Sequence, residues 1–268
     1  MISFDPVYND PPANRIEALG RWLCGIAYAC GRGVLVVAEA FLWFRHLLQR
    51  RSEVSRQLYI VGVGSYGVVT TVALFTGMIL SVQTGLVLRE YGQEANVGFI
   101  VSQTLCREMG PFMTALILAA SVGSAMAAEL GTMTVSEEID ALIVLDINPI
   151  RYLVMPRLFA MLVMTPVLTV YTDLIGILGG GLVAKTQLDV SWYAYSRNVL
   201  DFLKPREVNL GLVKAAVFGV IITGVSCYQG LATRNGAIGV GLATRKSVVI
   251  CFLLVLITGY FMTRFFYG

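Results

Sequence analysis

The chain has 268 residues, 56% of them hydrophobic and 14% charged, with a mean hydropathy of +0.73. Soluble domains carry about 25% charged residues, so this composition excludes an ordinary soluble domain and points to an integral membrane protein. A net charge of +3 gives no reason to expect a nucleic-acid partner, and five cysteines without a CxxC, with His46 the single histidine, argue against metal, disulfide or His-triad chemistry.

The first 14 residues read as a loose tail; Asp5 and Asp10 stand where a secretory signal needs basic residues. Residues 15–51 read as a helix with charge on one line. Arg32 returns to the face of Arg21 after 11 positions and Glu39 after 18, with Glu17, His46 and Arg50 close to that line. One polar stripe on an apolar cylinder suits an interfacial helix. A sixth, poorly apolar spanning helix is the alternative. Arg45, Arg50, Arg51 and Arg56 form the densest basic cluster, which the positive-inside rule assigns to the cytoplasm.

A bilayer core of about 30 Å needs roughly 20 apolar helical residues. Five stretches meet that length. Arg56 and Arg89 enclose 32 uncharged residues, which predicts a first span over 58–88. A short connecting helix over 95–107 need not cross. Glu108 and Glu129 enclose 20 residues, rich in alanine, glycine and serine, which let helices approach closely in lipid. The third span, 156–184, is broken by Asp173, whose expected role is a hydrogen bond to a neighbouring helix. An aromatic loop follows, with Trp192, Tyr193 and Tyr195. The fourth and fifth spans cover 208–230 and 243–266. The predicted class is therefore all-α: five transmembrane helices with an N-terminal interfacial helix. The expected divisions are 1–14 as tail, 15–51 as interfacial helix and 52–268 as the membrane domain.

Three clusters invite a functional reading. The polar island at 129–147 has Thr134 and Glu137 at capping-box spacing, which predicts a short helix starting at Thr134. It would display Glu137, Glu138 and Asp140 as a handle for a cytoplasmic partner, or be a solvated turn. Arg107 and Glu108 precede Gly110-Pro111 at the mouth of the second span, and Lys214 lies near the outer end of the fourth. Charges at membrane depth usually face a bundle interior or wet cavity, so the three could line one polar patch; snorkelling is the preferred reading for Lys214. The GAIGVG run at 236–241 lacks a preceding strand, and the chain has no GxxxxGK[ST]. ATP hydrolysis is therefore expected on another polypeptide, and no cofactor in this chain.

The run REMGPFMTALILAASVGSAMAAELGTMTVSEEIDAL at 107–142 closely resembles the signature of the MlaE/YrbE permeases, membrane subunits of ABC transporters that work on lipids with MCE-domain proteins. A second similar run is GLVKAAVFGVIITGVSCYQGLATRNGAIGVGLATRKSVV at 211–249. The resemblance implies a permease of the bacterial inner membrane, N-terminus cytoplasmic, acting as a homodimer with two ATPase subunits and an MCE ring. It makes the 129–147 island a coupling helix, with Glu129, Thr134, Glu137, Glu138 and Asp140 on the ATPase side. It places Leu80, Val87, Leu88, Tyr91, Arg107, Glu108 and Lys214 in a lipid cavity, with Arg107 and Lys214 facing phosphate and Glu108 orienting the arginine. One departure is Gly259, aligned where some family members carry an acid. The alternative from another class is a scaffold that anchors an MCE assembly and transports nothing.

Overall fold

The computed structural model describes residues 15–268; the tail over 1–14, and the side chains of Glu17, Arg21 and His46 in the polar stripe, lie outside the described residues. The protein is an all-α membrane bundle. Helix α1 spans Arg15–Leu42, a 3-10 segment covers Trp43–Arg50, and α2 runs over Arg51–Glu90. Helix α3 spans Glu94–Val135 and α4 Glu138–Val144. Then come α5 at Ile150–Gln187, α6 at Trp192–Phe202, α7 at Pro205–Leu231 and α8 at Gly236–Tyr267.

Among the described residues, six helices are long and apolar enough to cross a bilayer: α2, α3, α5, α7, α8 and, least apolar of them, Ala27–Arg45 around the end of α1. The five expected spans are all present, each within a helix longer than its charge-free stretch. The N-terminal segment meets the length and composition of a sixth. Gly31 and Gly33 do not split it. Its C-terminal half is docked on the bundle, with Val36 and Ala40 packed among Leu130, Ile150, Val154 and Leu158.

Two expectations need correction. Residues 95–107 are not a separate connecting helix: Glu94–Val135 is one helical run, made continuous by two π-helical turns, Leu105–Met109 and Ala119–Gly123. An extra residue in a helical turn shifts the faces that follow without ending the helix. The helix predicted to start at Thr134 starts at Glu138 instead. The Thr134 hydroxyl does not cap; it donates back to the Leu130 carbonyl at 2.7 Å and reaches the Gly230 carbonyl at 3.3 Å. The chain turns at Glu137, which sits in the left-handed region with φ 61°.

The bundle is built on close approaches. The most extensive packing is between α2 and α5. There a Cβ placed on Gly77 would lie 1.9 Å from the Gly176 carbonyl oxygen. At the α3–α7 crossing a Cβ on Gly211 would lie 2.1 Å from the Cys106 carbonyl oxygen. Helix association in lipid relies on such packing because the solvent is as apolar as the side chains. Outward faces are correspondingly greasy: Tyr59, Val63, Phe75 and Ile79 of α2, and Leu253, Ile257 and Phe261 of α8, are exposed. The successive long helices run up and down, so one end of the bundle gathers the ends of α2, α5 and α8 with the starts of α3 and α7. The opposite end carries α4.

Candidate functional site: a capped apolar cavity

Near the end that carries α6, helices α3, α7 and α8 line an open-sided cavity of about 540 Å³. Its walls are Met109, Phe112, Phe218, Val255, Leu256 and Tyr260; its polar residues are Arg107, Glu108, Lys214 and Thr263. Gly259 also lines it, and a Cβ there would only touch the Phe218 ring at 3.4 Å, so the glycine leaves room rather than meeting a steric demand.

Lys214 does not snorkel. Its residue is 1% exposed, and its ammonium donates to Glu108 Oε1 at 2.7 Å, Thr263 Oγ1 at 2.8 Å and the Arg107 carbonyl at 3.1 Å. The last bond has a backbone cause. Pro111 lacks an N–H and cannot donate to the carbonyl four residues before it, that of Arg107. An unmet carbonyl at membrane depth is costly, and Lys214 supplies a donor. Thr263 donates to Glu108 as well, at 2.9 Å. A buried lysine is tolerated here because its three protons each have an acceptor.

Glu108 therefore pairs with Lys214 and does not orient Arg107, contrary to the sequence expectation. The Arg107 guanidinium lies instead on the ring of Tyr267, with Cζ 3.2 Å from the ring centroid, and the Tyr267 hydroxyl donates to Glu207. Thr263, Tyr267 and Glu207 were absent from the expected site. Pro111 four residues after Arg107 was the readable signal that a foreign donor was needed there.

The expected α2 residues lie elsewhere in this chain. Leu80 and Leu88 pack at the edge of a separate cluster with Val97, Val101, Leu188 and Tyr195, while Val87 and Tyr91 are exposed. None of the four lines the 540 Å³ cavity. Asp173 of α5 is 6% exposed, against Gly110 and near the Cys106 thiol. Its Oδ1 has no hydrogen-bond partner, so the expected bond to a neighbouring helix is not formed by that oxygen.

At the opposite end a groove of about 1000 Å³ opens between α1, α4 and the α7–α8 turn. Thr134, Glu137 and Asp140 line it, joined by Glu39 and Asp146. Glu138 faces outward and accepts from Ser136 at 2.9 Å. Glu129 stands apart on α3, bonded at 2.8 Å to Arg157, a guanidinium it holds within the bundle. Val144 and Leu145 at the end of α4 are 85% and 69% exposed. Asn148 follows: its side-chain oxygen caps the start of α5 by accepting from the Ile150 and Arg151 amides, and its amide donates to Glu39 at 2.7 Å.

Comparison with known proteins gives one family. The family described as Permease MlaE matches residues 54–265. A probable ABC transporter permease protein of Rickettsia conorii is 40% identical over 216 residues, 81% of this chain and 83% of the relative. The intermembrane phospholipid transport system permease protein MlaE of Haemophilus influenzae is 30% identical over 258 residues, 95% of this chain and 98% of the relative. The chloroplastic protein TRIGALACTOSYLDIACYLGLYCEROL 1 of Arabidopsis thaliana is 32% identical over 237 residues, 88% of this chain and 66% of the plant protein. A bundle of this architecture, matched along most of its length by permeases, belongs to the MlaE permease family.

Proposed function

We propose that this chain is the permease subunit of an ABC transporter that moves phospholipid, or a lipid like it, between the bacterial inner membrane and an MCE-protein conduit. The observation that carries the reading is the cavity under α8: a long apolar wall closed at one end by a few charged groups. That is the shape of an amphiphile, with acyl chains along Phe112, Phe218 and Leu256 and a headgroup beside Arg107. The Haemophilus relative, named for phospholipid transport, supports the substrate class.

The permease works as a homodimer in this proposal. Val87 and Tyr91, exposed on a single copy, are then free to add apolar wall to a larger cavity shared between copies. The cluster Arg45, Arg50, Arg51 and Arg56 puts the start of α2 in the cytoplasm. The same side then holds α4 as the coupling helix, its exposed Val144–Leu145 tip and its acidic groove toward two copies of a separate ATPase.

Two coupled measurements test this. Affinity purification of the permease from cells making its ATPase is expected to bring down both that ATPase and phospholipid, the latter read by mass spectrometry of the extract. Reversing Glu137 and Glu138 to lysine together with Val144→Asp should cut recovered ATPase at least about tenfold, the size of a 1.4 kcal/mol loss, while phospholipid and membrane insertion persist. Unchanged ATPase recovery would show that the coupling surface lies elsewhere. A permease that carries no phospholipid would sink the transport reading and favour a scaffold.

A further inference from the structure

Two cations flank the cavity, and the geometry gives them different work. Lys214 has three ammonium protons and three acceptors: Glu108, Thr263 and the Arg107 carbonyl. A ligand oxygen can reach it only by displacing one of these bonds, and its charge is already balanced by Glu108. Arg107 is the converse. Among the described residues, no carboxylate lies within ion-pair distance of its guanidinium. Its plane is covered by the Tyr267 ring, at 3.2 Å from guanidinium carbon to centroid. The ring is itself tied to α7 by the bond from its hydroxyl to Glu207.

A guanidinium stacked on an aromatic face has its plane fixed and its N–H edge free, and that edge matches two oxygens of a phosphate. We propose that Tyr267 is a positioning residue: pinned by Glu207, its ring holds Arg107 flat so that the arginine's N–H edge receives the phosphodiester of a lipid headgroup, while Lys214 is structural. The proposal rests on the lipid-transport reading above and adds its recognition rule. One available cation per copy suits one phosphate, and leaves the rest of the headgroup unread by charge. Glu207 does this at the start of α7 and Tyr267 at the end of α8, so the headgroup position depends on how these two helix ends meet.

The test uses the purified permease–ATPase complex, equilibrated in detergent with equal amounts of phosphatidylglycerol and diacylglycerol, with bound lipid read by native mass spectrometry. Wild type is expected to prefer the phospholipid. Tyr267→Leu, which keeps apolar bulk and loses the flat face, should lower that preference about tenfold, the equivalent of 1.4 kcal/mol. Tyr267→Phe keeps the ring but loses the bond to Glu207, so it should lower the preference, though less than Tyr267→Leu. General damage to the cavity would lower both lipids together, so the ratio isolates the positioning role. If Tyr267→Leu yields no complex, Arg107→Lys supplies the second arm: an ammonium cannot present a two-pronged edge, so the preference should fall as far. A wild-type preference that survives Tyr267→Leu or Arg107→Lys overturns the proposal. Displacement of the lipid by millimolar inorganic phosphate would show that the site reads a free anion, and overturns it too; persistence of the lipid supports a headgroup. A wild-type complex without phospholipid would remove the transport reading and this rule with it.

Discussion

Replacing Glu108 by leucine is expected to destabilise the permease by about 3–5 kcal/mol, the usual cost of stripping one partner from a buried ion pair. The reason is asymmetric exposure. The Lys214 side chain is 1% exposed while that of Glu108 is 36% exposed. Removing the carboxylate strands an ammonium in the bundle with only Thr263 and a carbonyl for company. Removing Lys214 alone, as Lys214→Met, leaves a carboxylate that water can still reach, and should cost less. The double replacement Glu108→Leu with Lys214→Met removes both charges and should recover part of the loss. It should still fall short of wild type, because the Arg107 carbonyl opposite Pro111 then has no lysine donor, and an unmet buried acceptor costs about 1–3 kcal/mol. Thermal unfolding of the purified permease in detergent checks the order: wild type, then the double variant, then Glu108→Leu. A Glu108→Leu protein as stable as wild type would mean that the Lys214 ammonium finds water or another acceptor, contrary to its burial in the bundle.

The second large effect is expected at Gly77. A methyl group there falls 1.9 Å from the Gly176 carbonyl oxygen, so backbone must yield rather than a flexible side chain. Gly77→Ala should therefore lose roughly 1–3 kcal/mol through overpacking, and Gly77→Leu should prevent α2 and α5 from closing at all. Gly64 on the same helix is the internal control, since a Cβ there meets nothing within 4 Å. Gly64→Ala should be neutral or stabilising, by up to about 1 kcal/mol from helix propensity. Size-exclusion profiles and thermal midpoints in detergent give the comparison. Equal behaviour of Gly77→Ala and Gly64→Ala would contradict the close α2–α5 crossing.

What the sequence made legible follows from how strongly lipid punishes charge. The charge-free runs from Arg56 to Arg89 and from Lys214 to Arg234 marked the middles of α2 and α7, which extend five and nine residues before them, because charge is costly at membrane depth. The same rule marked Arg107, Glu108 and Lys214 as a group. It could not say which pairs with which. Glu108 and Lys214 are 106 residues apart, and Thr263 and Tyr267 join them only because α8 returns beside α3 and α7. Local spacing misled at Thr134. Its offset from Glu137 fits a capping box, but a threonine inside a helix can equally donate to the carbonyl four residues back, and here it does. The π turn at Leu105–Met109 was likewise invisible, since it inserts a residue into a helix without altering composition. The α2 positions show the limit of a motif match. The resemblance put Leu80, Val87 and Leu88 in one cavity wall, yet Leu80 and Leu88 are half-buried against their own chain while Val87 is exposed.

The central claim is that the chain conducts phospholipid rather than merely anchoring other proteins. The most direct measurement reconstitutes the permease with the ATPase and MCE protein proposed as its partners in proteoliposomes containing labelled phospholipid, and follows ATP-dependent transfer of the label between the membrane and the MCE protein. The account predicts transfer that requires ATP and is strongly reduced by Arg107→Ala, with assembly of the complex unchanged. An assembled, ATP-hydrolysing complex that transfers no label in either direction, or transfers it equally well with Arg107→Ala, would contradict it.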